Sequence, residues 1–451
     1  MLDAVIVIPG IMGSELRDRQ GKLLWGTNPS VLGRAWVTGG LPQLHVTLDE
    51  LEHGSHLTAT RLLHTPVWAP FLHGLLPYSR LLRKLASLCG DARAVGQFPY
   101  DWRMDINTHT PSLTDACQRH LEAWKSIVRK ERLGDPAQVR LVIVAHSMGG
   151  LLARLVLQDS SLAAEVRMLI TLGTPFYGSI NAVEMLAHGR AGAPVPEIGA
   201  RDLARSCPGV YDLLPRYACV TATSQPDRVL TDSDVCGIGG NVDLARAARQ
   251  RWESLGLRTG KPSPSTVPLL AGVGARQPTS ASMRLDGGTV ETSPLLDGKV
   301  DFGDSTVWRR SGAPAGAVSH AITQKHMALA VTTQALVFIE DKVMDRDSGP
   351  PLGTRPIGVH LPDLATAGQR VSLTVIEQPG DKGARPGDPV GIDVASTNLT
   401  TGTITRWGPG RCQDRTVVFS HPGLPVGLHE ISVKAGGFEP ITEIILIGRP
   451  E

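Results

Sequence analysis

The sequence predicts an α/β architecture, a parallel sheet flanked by helices, followed by a small all-β domain. Three observations predict it. Through the first 345 residues, short apolar runs alternate with amphipathic stretches, the pattern of strands joined by crossover helices. At Leu141-Val-Ile-Val-Ala-His-Ser-Met-Gly-Gly150 an apolar run ends in a serine set among small residues, as when a buried strand turns at once into a helix. Beyond the turn-rich joint Asp345-Arg-Asp-Ser-Gly-Pro-Pro351, short β-rich segments follow one another at the intervals of a sandwich.

The bulk figures bound the answer. At 451 residues the chain exceeds one ordinary core, so two domains are expected. A 41% hydrophobic and 20% charged composition is that of a globular protein and not of a disordered one. A net charge of +2 gives no reason to expect a nucleic-acid partner. No apolar run approaches the roughly 18–20 residues that span a bilayer. The first residues lack a basic n-region, a long h-region and a small-residue cleavage site, which points to a cytoplasmic protein. The six cysteines are scattered without CxxC spacing, so free thiols are expected, with neither a metal nor a cofactor.

In chain order, strands are expected at Ala4–Ile8, Val95–Phe98, Val139–Val144, Arg167–Leu172 and Val267–Val273. Helices are expected at Tyr78–Leu88, Leu113–Lys130 and Gly150–Gln158; in the second, Leu121, Trp124 and Val128 recur at helical spacing and mark a core face. Two insertions interrupt this domain of residues 1–345. Residues 39–77, carrying Trp68, Pro70, Phe71, Leu72, Leu75 and Leu76, read as a lid, with ordinary loop packing as the other reading. Residues 180–261, short helical pieces broken by Gly and Pro, read as a cap above the strand ends. Residues 352–451 read as an immunoglobulin-like β sandwich with strands at Ile357–His360, Arg370–Ile376, Val390–Ser396, Thr403–Trp407, Arg415–Phe419, His429–Lys434 and Glu443–Ile447. It shows no catalytic set; docking or support is its expected role, with a protein partner that the sequence does not name.

The chemistry gathers at the strand-to-helix turn. Small neighbours Ala145, Gly149 and Gly150 let the backbone pass closely enough to present the Ser147 hydroxyl to a base. A serine nucleophile also needs an imidazole, an orienting carboxylate and donors for a developing oxyanion. In the order Ser, Asp, His, the carboxylate falls to Asp304 in the polar turn Gly303-Asp-Ser-Thr-Val307, with Asp301 and Asp297 as rivals. The base falls to His326, just before the helix-like run Ala328–Ile339, with His320 as competitor. The oxyanion donors are the main-chain N–H of Met148 and that of Ile11, or else Met12, in the loop after the first strand.

Secondary motifs carry less. His146 is expected to be structural, and Asp101 with Arg103 to form a buried ion pair bracing a loop. Gly256-Leu-Arg-Thr-Gly-Lys-Pro262 is one residue short of a phosphate loop and has proline where Ser or Thr is required. Gly272-Val-Gly274 lacks the third glycine of a dinucleotide fingerprint.

Taken together, Pro9-Gly-Ile-Met-Gly-Ser14, Pro99-Tyr-Asp-Trp-Arg103, Ala145-His-Ser-Met-Gly-Gly150, Leu172-Gly-Thr-Pro175 and Gly303-Asp-Ser-Thr-Val307 resemble the lecithin:cholesterol acyltransferase-like family of α/β-hydrolases, which includes lysosomal phospholipase/acyltransferases. Cys207-Pro-Gly-Val-Tyr-Asp-Leu-Leu-Pro215 is similar to that family's cap segment, and the resemblance spans roughly residues 3–340. It implies cleavage of lipid acyl esters through Ser147, the acyl group passing to water or to another alcohol, with transient contact at a membrane surface. Ala145 stands where the elbow usually has glycine, and the cysteine pairing of secreted relatives has no counterpart. The expected activity is therefore that of a carboxylic ester hydrolase, a lipase or phospholipase or an O-acyltransferase. The alternatives are a carboxylesterase of soluble substrates and a non-catalytic scaffold whose β domain binds.

Overall fold

Strands with apolar residues at every position are covered on both faces, as in parallel sheets sandwiched by helices. In the computed structural model, which describes residues 1–26, 41–69, 73–189, 197–222, 225–256, 266–286, 288–346, 357–362, 364–377, 391–413, 416–436 and 439–449, two such strands are buried throughout. They are β1 (Ala4–Ile8) and β3 (Leu141–His146). With β2 (Val95–Gln97), β4 (Val166–Leu172), β5 (Leu269–Ala275) and β6 (Val318–Thr323) they form one sheet in the order β6-β5-β4-β3-β1-β2. Every pairing in it is parallel.

Alternation along β1 sends Ile6 and Ile8 to one face and Val5 and Val7 to the other. The first face packs on α2 (Thr110–Glu131), through Leu121, Trp124 and Val128, and on α3 (Met148–Val156). The second packs on α1 (Ser79–Cys89), through Leu81 and Leu85, and on α4 (Thr333–Val343), through Phe338 and Ile339. The run read as one helix from Ala328 is a 3-10 turn, His326–Val331, then Thr332 capping α4 through Ala335 N–H.

Strand β6 had no counterpart in the sequence reading. Its residues, Val-Ser-His-Ala-Ile-Thr, are half polar and mostly outside the core because it lies at the sheet edge. Residues 180–261 include helices Ile180–His188, Glu197–Ser206 and Val242–Ser254. They also include strands Val220–Ala222 and Gln225–Arg228, which extend the hairpin Ser282–Asp286/Thr289–Ser293 into a four-stranded sheet. Within 39–77, Pro70, Phe71 and Leu72 lie outside the described residues, as do residues 257–262 of the rejected phosphate-loop motif.

After the joint, a four-stranded and a five-stranded sheet enclose a separate core that includes Val359, Leu373, Phe419, Ile431 and Ile445. This domain is fastened to the first by Gln277, whose amide donates to Ile357 O at 3.1 Å and accepts from Val359 N at 3.0 Å. Among the described residues, Cys89, Cys117, Cys207, Cys219 and Cys236 are free thiols, and no helix is long and apolar enough to cross a membrane.

Candidate active site

The carboxyl ends of parallel strands are where α/β sheets place ligands, and the chemistry-bearing residues gather there. Ser147 follows β3 with φ 52° and ψ −127°, the strained turn expected of a serine elbow. Its N–H donates to Leu172 O at 2.9 Å, and its carbonyl accepts from Thr174 Oγ1 at 2.9 Å. Position 149 must be glycine, because a Cβ there would sit 2.3 Å from Pro9 O.

The structure brings Ser147, His326 and Asp304 into one hydrogen-bonded chain. Ser147 Oγ is 2.8 Å from His326 Nε2, and His326 Nδ1 is 2.8 Å from Asp304 Oδ2. A carboxylate only accepts, so Nδ1 carries the ring proton and the Nε2 lone pair faces the serine hydroxyl. The other Asp304 oxygen accepts from Val307 N at 2.6 Å and from Thr306 N at 3.0 Å, and His326 N donates to Asp304 O at 2.7 Å. Gly274, set aside as a nucleotide motif, has a different reason: a Cβ there would lie 2.2 Å from Asp304 Cβ.

The rival residues lie elsewhere. Asp301 pairs with Arg309 and Arg310, Asp297 pairs with Arg310, and His320 stacks on Phe338 at the sheet edge. Ile11 is buried and lines the same small cleft as Ser147, and Met148 opens α3, where the first N–H groups of a helix lack intrahelical acceptors. Met12 adopts φ 61° and is fully buried.

A second network, unforeseen in the sequence, runs behind the first. Gly10 N donates to Tyr78 Oη at 3.0 Å, Tyr78 O–H donates to His146 Nδ1 at 2.8 Å, and His146 Nε2 donates to His326 O at 3.1 Å. Burial, reinforced by the neighbouring His326, pushes the His146 pKa down to about 3, so this ring is neutral. Burial likewise holds the Tyr78 hydroxyl protonated, well above its usual range. A loop near Ser147 is thereby tied to the backbone of position 326. Tyr78 carries no motif, and only its place at the start of α1 marks it.

The β domain reaches the same loop. Gln324 donates to Pro440 O and accepts from Thr442 N, Lys325 Nζ lies 3.2 Å from Glu443 Oε1, and Glu439 caps α4 by accepting from Thr333 N and Gln334 N. Asp101 and Arg103 form the anticipated buried pair, with Glu50 as a third member 2.8 Å from Arg103 Nη2. The cleft lined by Ile11, Ser147, Met185, Leu213 and Val307 encloses about 10 Å³, room for one water.

Parallel sheet, strand-to-helix elbow and carboxyl-end site define the α/β-hydrolase fold. Residues 73–235 match the family model of lecithin:cholesterol acyltransferase, so the resemblance read from the sequence holds over this stretch. Among solved structures, a chain of the Tle4–Tli4 complex is 15% identical over 76% of this chain and 98% of its own, with a TM-score of 0.50. The mature lipase BlEst2 of Bacillus licheniformis is 13% identical over 75% of this chain and 90% of its own, at a TM-score of 0.32. Phospholipase PlaB from Legionella pneumophila is 11% identical over 82% and 88%, at 0.28. No curated protein matches the sequence.

Proposed function

We propose that this protein is a serine hydrolase of lipid acyl esters, with Ser147 as nucleophile, His326 as base and Asp304 as its orienting carboxylate. The observation that carries the reading is the continuous chain Ser147 Oγ–His326–Asp304, with both links at 2.8 Å. Ser147 attacks the ester carbonyl as His326 Nε2 takes its proton, and Asp304 stabilises the imidazolium. The oxyanion is received by the main-chain N–H groups of Met148 and Ile11; loss of one such donor typically lowers the rate about 10²- to 10³-fold. His326 then returns the proton to the leaving alcohol. Water, or an acceptor alcohol, resolves the acyl-enzyme by the reverse sequence.

The match to an acyltransferase family supports the lipid substrate. The cleft beside Ser147 holds only about 10 Å³, which adds a requirement: its walls must part before an acyl chain is seated there. A lipid surface supplies an apolar phase for such a movement. A fluorophosphonate probe on wild type and Ser147→Ala tests the nucleophile; equal labelling of both removes Ser147 from this role. Lipid extracts incubated with the two proteins and compared by mass then identify the ester cleaved or the acyl acceptor. Turnover that does not rise when substrate forms micelles or vesicles overturns the lipid reading in favour of soluble esters.

A further inference from the structure

The cap holds a second cavity, larger than the one at Ser147. It encloses about 550 Å³, within the range of small-molecule sites. Leu214, Leu230, Val235, Ala245, Ala248 and Trp252 supply an apolar wall. Arg216 is the exception. Its Nη2 donates to Phe176 O and its guanidinium lies over the Trp252 ring, but Nε and Nη1 are shielded from solvent and have no hydrogen-bond partner. The Trp252 indole N–H is also buried and unpartnered.

A guanidinium shielded from water without a counter-anion is unfavourable, so such groups are ordinarily paired. Asp212 attracts Arg216 through space without bonding to it, its oxygens being taken by Ile106 N at 2.9 Å and Arg251 Nε at 2.8 Å. Arg249 and Glu253 also face the cavity, but both are exposed, and Arg249 pairs with Asp232. Charge and shape thus ask for one kind of occupant, an acidic head carried on an alkyl chain.

We propose that the cap cavity is a binding site for an anionic single-chain amphiphile, its carboxylate or phosphate head drawn to the Arg216 guanidinium and its chain along Leu230, Val235 and Ala245. The two cavities share a wall. Leu213 lines the Ser147 cleft, whereas Leu214, Pro215 and Arg216 line this one. The site is thus distinct from the reacting centre and does not require Ser147.

The test uses the full-length Ser147→Ala protein, which holds ligand without turnover, titrated calorimetrically with dodecanoate, dodecyl phosphate, dodecanol and inorganic phosphate below micelle formation. The expected result is that one or both anionic amphiphiles bind at least tenfold tighter than dodecanol, with inorganic phosphate weaker than either. The tighter of the two distinguishes a fatty-acid head from a phosphate head. Arg216→Gln should collapse the preference over dodecanol while dodecanol itself still binds. Ala248→Phe, which keeps Arg216 and fills the cavity, should weaken all the alkyl ligands together. Equal affinity for dodecanoate, dodecyl phosphate and dodecanol in the parent protein, or a preference that survives Arg216→Gln, overturns the proposal. Because Ser147 is absent throughout, the outcome is independent of whether Ser147 is the nucleophile.

Discussion

Lys325 Nζ lies 3.2 Å from Glu443 Oε1, and the two side chains are only 9% and 6% exposed. The residue preceding His326 is therefore ion-paired, out of water, to the β domain. Removing one partner of such a pair strands the other charge and typically destabilises by about 3–5 kcal/mol. Glu443→Ala should lose about 3 kcal/mol in chemical denaturation, whereas Lys325→Met with Glu443→Leu should recover most of it. A double variant no more stable than the single one refutes the stranded-charge account.

Asp304→Asn should lower kcat about 10⁴-fold, the scale known for this change in serine hydrolases, with little change in Tm. The asparagine oxygen still accepts from Thr306 and Val307, but an NH₂ group then faces His326 Nδ1 and favours the wrong tautomer. Steady-state kinetics and thermal melts of the same preparation decide it.

Tyr78→Phe deletes the oxygen that accepts from Gly10 N and donates to His146. A buried donor and a buried acceptor lose their partner, a change expected to lower stability by about 1–3 kcal/mol. The Gly10–Ile11 loop also loosens, so kcat should fall about tenfold with KM nearly unchanged. A rise in KM alone would place Tyr78 in substrate binding instead.

The buried His146 makes the fold sensitive to acid. An unfolded imidazole takes a proton near 6.5, whereas this one does so only near 3. Below about pH 6.5 the unfolded chain therefore binds more protons at this position, and stability falls as pH falls, by up to about 1.4 kcal/mol per unit. The contribution is fully present above pH 6.5. Stability of His146→Gln, followed by denaturation between pH 7 and pH 4, should decline less steeply than wild type; equal slopes would rule out this residue as the source.

How much could be read from the sequence follows from the physics of each element. The buried strands are apolar at nearly every position, so Ala4–Ile8 was found at both ends and the others to within one or two residues. Ser147 carried its own local signature in strand, small residues and helix. Asp304 and His326 were picked out from rivals by chain order and turn character, and the structure sets those two beside Ser147. Edge strand β6 was missed because polar residues suit an edge, and the cap strands because three or four residues show no periodicity. Tyr78, Gln324, Glu443 and Arg216 act through partners 68 to 118 residues away or through a cavity wall, and no local pattern records such meetings.

Gly209 donates to Arg103 O at 3.0 Å, and a Cβ at this position would come within 2.4 Å of Trp102 O. Here the overhanging insertion is pinned flat against the body of the molecule, backbone on backbone. A few residues on it is fastened again, Leu213 O accepting from Ser179 N at 2.8 Å and Leu214 O lying where a Cβ at position 178 would come within 2.1 Å. An incoming chain meets a threshold bolted at two points.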